Sequence, residues 1–266
     1  MVDAVLVEKR NGIGYVTINR PERRNAINAE VNTLLRSAFA ELQQDKGVLS
    51  VIITGAGDKA FCAGGDLVER AAAAKAGQDT RPTIETLREL DYTRAMRSDD
   101  FTKPIIAAVN GFAAGGGFGL ALACDIRLSS ENAQFGASEV RWSHMAGTIA
   151  HILPRTVPLG WAFWMCYTGQ FIDAQTAFQI GLTQGLYPAE ELMNKAIELA
   201  ETINANGAPV ITGTREFIYK SLDVPLSMAK ALEYLYYEHI ARSDNYVEGT
   251  LAFAEKRRPG FSNNNG

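Results

Sequence analysis

Residues 109–120 read Val-Asn-Gly-Phe-Ala-Ala-Gly-Gly-Gly-Phe-Gly-Leu, and this stretch decides the fold prediction. It joins an apolar segment at 104–110, which predicts a buried strand, to an apolar helix predicted over 115–124. A second junction, Lys59-Ala-Phe-Cys-Ala-Gly-Gly-Asp-Leu67, follows a strand predicted at 50–55. Glycines at such junctions permit positive φ angles and let another group approach the backbone closely. The two junctions are therefore the first candidates for a functional site.

These glycines can be explained by tight packing of a helix on a strand or by one of three functions. A dinucleotide site requires G-x-G-x-x-G after a strand, but a fingerprint started by Gly115 and Gly117 meets Leu120 at its last position. The phosphate-binding pattern G-x-x-x-x-G-K-[ST] is absent from the chain. Two such loops after buried strands favour an oxyanion hole, in which each loop contributes one backbone N–H.

The N-terminal third predicts a parallel sheet with a crossing helix. Residues 4–21 alternate apolar and polar positions around Asn11-Gly12, which predicts a β-hairpin. Asn28 is a candidate N-cap for an amphipathic helix over 31–42, and the strand at 50–55 follows it. A strand-helix-strand unit of this kind crosses over right-handed in a parallel sheet.

The rest of the chain is predominantly helical by pattern. Residues 67–102 predict helices around a mobile loop at 73–82, and a short strand is expected just after Cys124. From Val157 onward the pattern is almost wholly helical, with 161–167 predicted as a buried helix. A long helical region is expected over 226–257. The overall prediction is an α/β core followed by C-terminal helices.

Composition excludes several classes of protein. The chain has 266 residues, a formal net charge of −4, 47% hydrophobic and 21% charged residues, values that are typical of a globular protein. Mild acidity disfavours nucleic-acid binding, and no apolar run reaches the length that a membrane span requires. The three cysteines are too few for a disulfide framework. We expect a cytoplasmic protein that binds neither nucleic acid nor membrane.

The common nucleophile and metal motifs are missing. The chain contains no G-x-S-x-G elbow and no H-E-x-x-H pair. His144 and His151 are seven residues apart, so each is interpreted as a core or surface residue. Cys62 lies beside the first glycine loop, and a small buried thiol there is explained by packing alone. No metal site is predicted.

The glycine junctions resemble the two signature loops of the crotonase, or enoyl-CoA hydratase/isomerase, superfamily. Phe61–Leu67 and Asn110–Gly117 carry the closest resemblance. It continues through other segments that together cover nearly the whole chain: Ile18–Asn28, Cys124–Asp125, Phe135–Gly136, Leu153–Arg155, Ala177–Leu182 and Phe253–Phe261.

This resemblance implies a crotonase-like ββα superhelix core at 1–205 and a C-terminal helical region at 206–266, which contributes to trimerisation and to the coenzyme A pocket. It also implies a homotrimer or a dimer of trimers that acts on acyl-CoA thioesters, with coenzyme A as part of the substrate and no separate cofactor. Aromatic residues are enriched at interfaces, and the C-terminal region carries three candidates: Tyr234, Tyr236 and Tyr237.

The resemblance also assigns site residues. It places the oxyanion-hole N–H donors at Ala63 and Gly116. The residues implied to bind the substrate or its coenzyme A moiety are Arg24, Ala26, Ala63, Gly64, Gly65, Asp66, Leu67, Gly116 and Trp142.

The resemblance implies that the acid–base group is a single glutamate. Hydratases of the superfamily usually carry two, but the first position is Gly119 here, while the second matches Glu139. The loop from Met145 to His151 also departs from the glycine-rich family pattern. We predict hydratase chemistry with Glu139 as acid and base. A Δ3-Δ2-enoyl-CoA isomerase is the main alternative, followed by a decarboxylase, hydrolase or hydratase-lyase, and then by a non-catalytic acyl-CoA or RNA binder.

Overall fold

The computed structural model describes residues 3–89, 91–97 and 101–262. The strands are β1 (Val5–Arg10), β2 (Ile13–Ile18), β3 (Ser50–Gly55), β4 (Ala60–Cys62), β5 (Ile105–Val109), β6 (Phe112–Ala114), β7 (Ile126–Ser130), β8 (Gln134–Gly136), β9 (Phe171–Asp173) and β10 (Gly185–Tyr187).

Helices connect and cover these strands. The α-helices are α1 (Ala29–Gln44), α2 (Leu67–Lys75), α3 (Ile84–Glu89), α4 (Tyr92–Arg97), α5 (Gly116–Ala123), α6 (Gly147–Ile152), α7 (Leu159–Thr168), α8 (Ala174–Gln179), α9 (Leu192–Asn204), α10 (Ala208–Leu222), α11 (Leu226–Ala241) and α12 (Asp244–Glu255). Short 3-10 helices lie at Pro21–Arg23, Ser138–Trp142 and Leu153–Arg155.

The described strands form two sheets. The larger sheet has the order β1-β2-β3-β5-β7-β10 and is parallel except for the β1-β2 hairpin. The smaller sheet has the order β4-β6-β8-β9 and is parallel except for the β8-β9 pair. Successive strand pairs β3-β4, β5-β6 and β7-β8 each give one strand to each sheet. This alternation winds the chain into the predicted ββα superhelix.

The predicted N-terminal unit is confirmed. Val5 pairs with Ile18 and Arg10 with Ile13, so Asn11 and Gly12 form the hairpin turn. The Asn28 side chain accepts a hydrogen bond from the Val31 N–H at 3.0 Å, which caps α1. The buried face of α1 packs on the main core: Val31, Leu35, Ala38, Phe39 and Leu42.

Packing produces two apolar clusters. The larger one includes Phe61, Phe118 and Phe135. A second cluster covers the other face of the larger sheet, where Leu192, Ala196 and Ala200 of α9 meet residues of β2, β3, β5 and β7. The larger sheet therefore lies between two apolar layers.

The C-terminal half corrects two predictions. Residues 161–167 form most of α7, but Phe163, Trp164 and Tyr167 are exposed and only Ala162 and Met165 are buried. The pattern from Val157 onward is also not wholly helical, because β9 and β10 return to the two sheets. These strands are three residues long, too short to show a period of two. The region over 226–257 is helical, with a break between α11 and α12.

Candidate active site

The candidate site lies where three neighbouring strands of the smaller sheet end. β4, β6 and β8 run parallel in that order, so their carboxyl ends meet at one edge. Loop 63–66 leaves β4, residues 115–116 leave β6, and the 3-10 helix with Glu139 leaves β8. Ligands of parallel sheets bind outside the carboxyl ends of the strands. The topology therefore brings the two glycine junctions and Glu139 together.

The two glycine loops touch each other. Gly64 has a φ of +85°, a conformation that residues with a side chain rarely adopt. A Cβ atom on Gly64 would lie 2.6 Å from the Ala114 carbonyl oxygen and 2.9 Å from the Gly116 nitrogen. Only a residue without a side chain permits this approach, so Gly64 holds Gly65 next to Gly116.

The backbone N–H groups of the first loop differ in their availability to a ligand. The Ala63 N–H donates to the Arg24 carbonyl oxygen at 3.0 Å. For the Gly65 N–H, no acceptor is found in the described part of the chain, and Gly65 is exposed. A Cβ atom on Gly116 would lie 3.7 Å from the Gly65 nitrogen. The structure thus corrects the prediction of Ala63 as donor, because its N–H is already bonded while that of Gly65 is free.

Gly116 supplies the second free N–H. It is the first residue of α5, and the first N–H groups of an α-helix have no partner within the helix. The preceding Gly115 N–H is already used, since it donates to the Gly136 carbonyl oxygen at 2.9 Å. The positive end of the helix dipole adds to the attraction for a negative oxygen. The free N–H groups of Gly65 and Gly116 therefore lie close together.

The Glu139 carboxyl lies against the start of the same helix. Gly115 has a φ of +52°, and a Cβ atom there would lie 3.3 Å from both Cδ and Oε1 of Glu139. Oε2 is buried and has no hydrogen-bond partner among the described residues. Burial raises the pKa of Glu139 above its ordinary value, against a smaller opposite effect of a backbone hydrogen bond. Glu139 is therefore a half-buried carboxyl with one buried, unpartnered oxygen and a raised pKa beside the free N–H groups, which is what an acid–base residue needs.

Tyr92 completes the wall of the site, and the sequence analysis missed it. Its hydroxyl donates a hydrogen bond of 2.6 Å to the Gly116 carbonyl oxygen. Burial, followed by electrostatic interactions with nearby acidic groups, raises the pKa of Tyr92 well above its ordinary value. The phenol therefore stays protonated and remains a donor. A lone tyrosine in a weakly patterned segment carries no sequence signal for this role.

A cleft of about 470 Å³ opens beside these groups. It contains Gly65, Asp66 and Gly116 among the predicted site residues, together with Tyr92. Other lining residues come from the start of α1, from α2 and from the segment before α3: Ile27, Asn28, Ala29, Asn32, Glu69, Arg70, Ala73, Asp79, Thr80, Arg81, Pro82 and Thr86. The site thus has room for a ligand group in contact with both free N–H donors.

Four of the remaining predicted residues lie outside the lining of this cleft. Arg24 lines a separate cleft of about 270 Å³, and Ala26 is buried with its carbonyl oxygen accepting a hydrogen bond from Arg20. Leu67 begins α2 and is partly exposed, whereas Trp142 is 63% exposed at the end of the 3-10 helix that carries Glu139. None of these four side chains lines the cleft in the described residues.

Asp66 fixes the end of the first loop. Burial alone would raise its pKa, but hydrogen bonds from the Glu69 N–H and from Arg20 outweigh that effect and hold the pKa below its usual value. Arg20 Nη2 lies 3.1 Å from Asp66 Oδ2, and both side chains are largely buried. The same carboxylate caps α2. Asp66 is therefore ionised and anchors the loop.

The described residues contain neither a cluster suited to a metal ion nor a helix suited to a membrane. They contain no group of three or more histidine, cysteine, aspartate or glutamate side chains placed to hold a metal ion. Over the same part of the chain, no helix is both long and apolar enough to cross a membrane.

The superhelix with paired N–H donors defines an α/β protein of the crotonase fold. Enoyl-CoA hydratase structures match it: that of Bacillus anthracis has a TM-score of 0.89 at 33% identity and covers 98% of this chain and 100% of its own. That of Mycobacterium tuberculosis H37Rv has a TM-score of 0.87 at 34% identity and covers 99% and 100%. The family model described as enoyl-CoA hydratase/isomerase matches residues 8–264. The chain belongs to the enoyl-CoA hydratase/isomerase family.

Curated relatives resemble the chain over its full length. The short-chain-enoyl-CoA hydratase of Clostridium acetobutylicum is 35% identical over 263 residues, which is 97% of this chain and 98% of the relative. The (E)-benzylidenesuccinyl-CoA hydratase of Thauera aromatica is 34% identical over 264 residues, with the same two coverages.

Proposed function

We propose that the protein is an enoyl-CoA hydratase, which adds water across the double bond next to the carbonyl of a coenzyme A thioester. The observation that carries this proposal is the buried, unpartnered Oε2 of Glu139 beside the free N–H groups of Gly65 and Gly116. Membership of the family and the names of the relatives support the same reaction. Coenzyme A enters as part of the substrate, and the proposal includes no separate cofactor.

The proposed mechanism uses these three groups. The thioester oxygen accepts hydrogen bonds from Gly65 and Gly116 and becomes an enolate oxygen when the water oxygen bonds to the β-carbon. Fixed N–H dipoles stabilise this charge without reorganising. Glu139 takes one proton from the water and delivers a proton to the α-carbon, which regenerates the carboxylate. The pKa of Glu139, raised by burial, brings this transfer closer to working pH.

The coenzyme A moiety is proposed to run along residues 24–26 and 63–67. These segments lie side by side, because the Ala63 N–H bonds to Arg24 and the Gly65 backbone forms a parallel bridge with Ile27. Arg24 is exposed and is proposed to meet the phosphates. Calorimetry with an acyl-CoA checks this: binding weakens as salt rises, because exposed charges are screened.

Isomerisation is the second candidate. Gly119 stands where two-glutamate hydratases of the resemblance carry a carboxylate. One carboxylate is sufficient for a 1,3-proton shift, because it removes a proton at one carbon and returns it at another. The two reactions are compared by their rates. If the protein isomerises a 3-enoyl-CoA faster than it hydrates the corresponding 2-enoyl-CoA, the result favours this second function.

A homotrimer or dimer of trimers is also proposed. Phe163, Trp164 and Tyr167 expose an apolar face of α7, and Tyr234 and Tyr237 are exposed on α11. Tyr236 instead bonds to Glu216 within the chain at 2.8 Å, so it does not support the proposal. Light scattering that returns only the 28.9 kDa monomer contradicts it. The cytoplasmic location stays a prediction.

The test of the main function is a substrate screen. Purified protein is incubated with crotonyl-, longer 2-enoyl- and cinnamoyl-type CoA esters, and the loss of the conjugated thioester absorbance is followed. Mass spectrometry confirms the 3-hydroxyacyl product. Binding of these esters without hydration, isomerisation or α-proton exchange in deuterated water indicates a non-catalytic binder instead.

A further inference from the structure

A buried arginine of the C-terminal helix α10 joins three separate parts of the chain. Arg215 is only 8% exposed. Its Nε donates a hydrogen bond to Asp125 Oδ2 at 2.8 Å, and its Nη2 donates one to the Met96 carbonyl oxygen at 2.8 Å. Its Nη1 donates to the carbonyl oxygen of Phe101. Because the guanidinium is a rigid planar fork, these bonds fix the three acceptors relative to one another.

Asp125 is the acceptor that is anchored to the larger sheet. It lies just after the end of α5. Its N–H donates to the Ile105 carbonyl oxygen at 2.9 Å, and its Oδ2 accepts a hydrogen bond from the Ile105 N–H at 2.7 Å. Ile105 begins β5, a buried strand of that sheet. The ion pair with Asp125 therefore ties Arg215 to the core of the protein.

The helix α4 links Arg215 to the candidate site. It has six residues, and because isolated helices shorter than about 12–15 residues are marginal in water, its position depends on contacts with the rest of the chain. The Met96 carbonyl oxygen lies in its last turn, where carbonyl groups have no partner within the helix, and Arg215 supplies one. Tyr92, at the other end of α4, donates its hydroxyl proton to the Gly116 carbonyl oxygen at 2.6 Å. One end of α4 is thus bonded to α10, and the other end is bonded to the first residue of α5.

We propose that Arg215 is a positioning residue for the N–H donor of Gly116, and that it acts through α4 and Tyr92. This inference rests on the proposed function, in which that N–H stabilises the enolate oxygen. Arg215 does not line the cleft in the described residues, so its effect on the reaction passes through the helix. By fixing α4, Arg215 keeps the Tyr92 hydroxyl on the carbonyl oxygen of Gly116, the residue whose N–H faces the substrate.

The variant Arg215→Lys tests this role while keeping a positive charge beside Asp125. A lysine is a single point charge and lacks the fork that reaches the backbone carbonyl oxygens. For hydration of the best enoyl-CoA, we expect kcat to fall about three- to tenfold, as the displacement of one supporting hydrogen bond predicts, with KM within about twofold of wild type.

Tyr236→Phe is the matched control in the same C-terminal region. It removes a hydrogen bond of 2.8 Å from α11 to Glu216, the neighbour of Arg215 on α10, and that bond does not involve α4. We expect a lower Tm in this variant, with kcat within about twofold of wild type. An equal fall of kcat in both variants would show that any weakening of the C-terminal helices lowers activity, and would overturn the specific role of Arg215.

A double variant distinguishes positioning from loss of folded protein. If Arg215 acts through Tyr92, adding Arg215→Lys to Tyr92→Phe causes no further fall in kcat, because the hydroxyl that it positions is already gone. A smaller folded fraction would instead lower kcat by the same factor in both backgrounds. All rates are measured at a temperature where circular dichroism shows every variant folded. Unchanged kcat in either single variant, or equal falls caused by Arg215→Lys in the two backgrounds, overturns the inference.

Proton exchange separates failure of this inference from failure of the proposed function. Exchange at the α-carbon of a saturated acyl-CoA in deuterated water needs the same N–H donors but no hydration. A wild type that exchanges without hydrating any enoyl-CoA refutes the proposed hydratase function, and the same double-variant comparison of exchange rates then decides the role of Arg215. A wild type that neither exchanges nor hydrates overturns both.

Discussion

Replacing Glu139 with glutamine is expected to lower activity and raise stability in the same variant. The substitution keeps the size of the side chain but removes the proton-transfer group. General acid–base catalysis contributes about 10²- to 10⁴-fold, so kcat for hydration should fall by that factor. Acyl-CoA affinity should persist, because the N–H donors of Gly65 and Gly116 are unchanged.

The stability gain follows from the burial of an unpartnered oxygen. Burial raises the pKa of Glu139 in the folded protein, so the folded state binds more protons than the unfolded state between the two pKa values. Wild-type stability therefore falls as pH rises from the unfolded pKa to the folded pKa. The neutral amide of glutamine carries no buried charge and so avoids this loss of stability. We expect the free energy of unfolding to rise by up to about 1 kcal/mol, which corresponds to roughly 2–4 °C in Tm.

Calorimetric scans against pH check this expectation. The gain should be present above the folded pKa and should disappear below the ordinary pKa of a glutamate. Glu190→Gln, at an exposed site, is the matched control and should change neither Tm nor kcat. Near wild-type turnover of Glu139→Gln refutes the assignment of the base, and a lower Tm at neutral pH refutes the argument from burial.

Three other substitutions test the supports of the site. Tyr92→Phe removes the donor to the Gly116 carbonyl oxygen, and we expect about a tenfold fall in kcat with little change in Tm, measured by steady-state kinetics and thermal unfolding. Gly64→Ala forces a Cβ atom to 2.6 Å from a facing carbonyl oxygen at a positive φ, so we expect a lower Tm and loss of hydration; full activity would contradict the close approach of the loops. Arg215→Met breaks a largely buried ion pair with Asp125 and should lower the free energy of unfolding by about 3–5 kcal/mol, as measured by denaturant titration.

The elements near the N-terminus were predictable because their signals are local. The hairpin follows from alternation around Asn11-Gly12, and α1 follows from its apolar spacing and the Asn28 cap. The buried helix predicted at 161–167 failed for the opposite reason. Phe163, Trp164 and Tyr167 remain exposed, because whether an apolar face is buried depends on what lies against it.

The sequence by itself determined the strand–glycine–helix junctions, because glycine spacing and hydrophobic period are local properties. The family and the position of Glu139 followed from the resemblance of these motifs to the crotonase superfamily. Only the tertiary structure decided which groups are available to a ligand. The Ala63 N–H donates a hydrogen bond to the carbonyl oxygen of Arg24, a residue distant in the sequence. Of these two N–H groups in the first loop, it is that of Gly65 which remains free. Likewise Tyr92 reaches the site through α4. Hydrogen bonds and contacts between distant segments depend on how the superhelix packs. They cannot be predicted from the spacing of residues in the sequence.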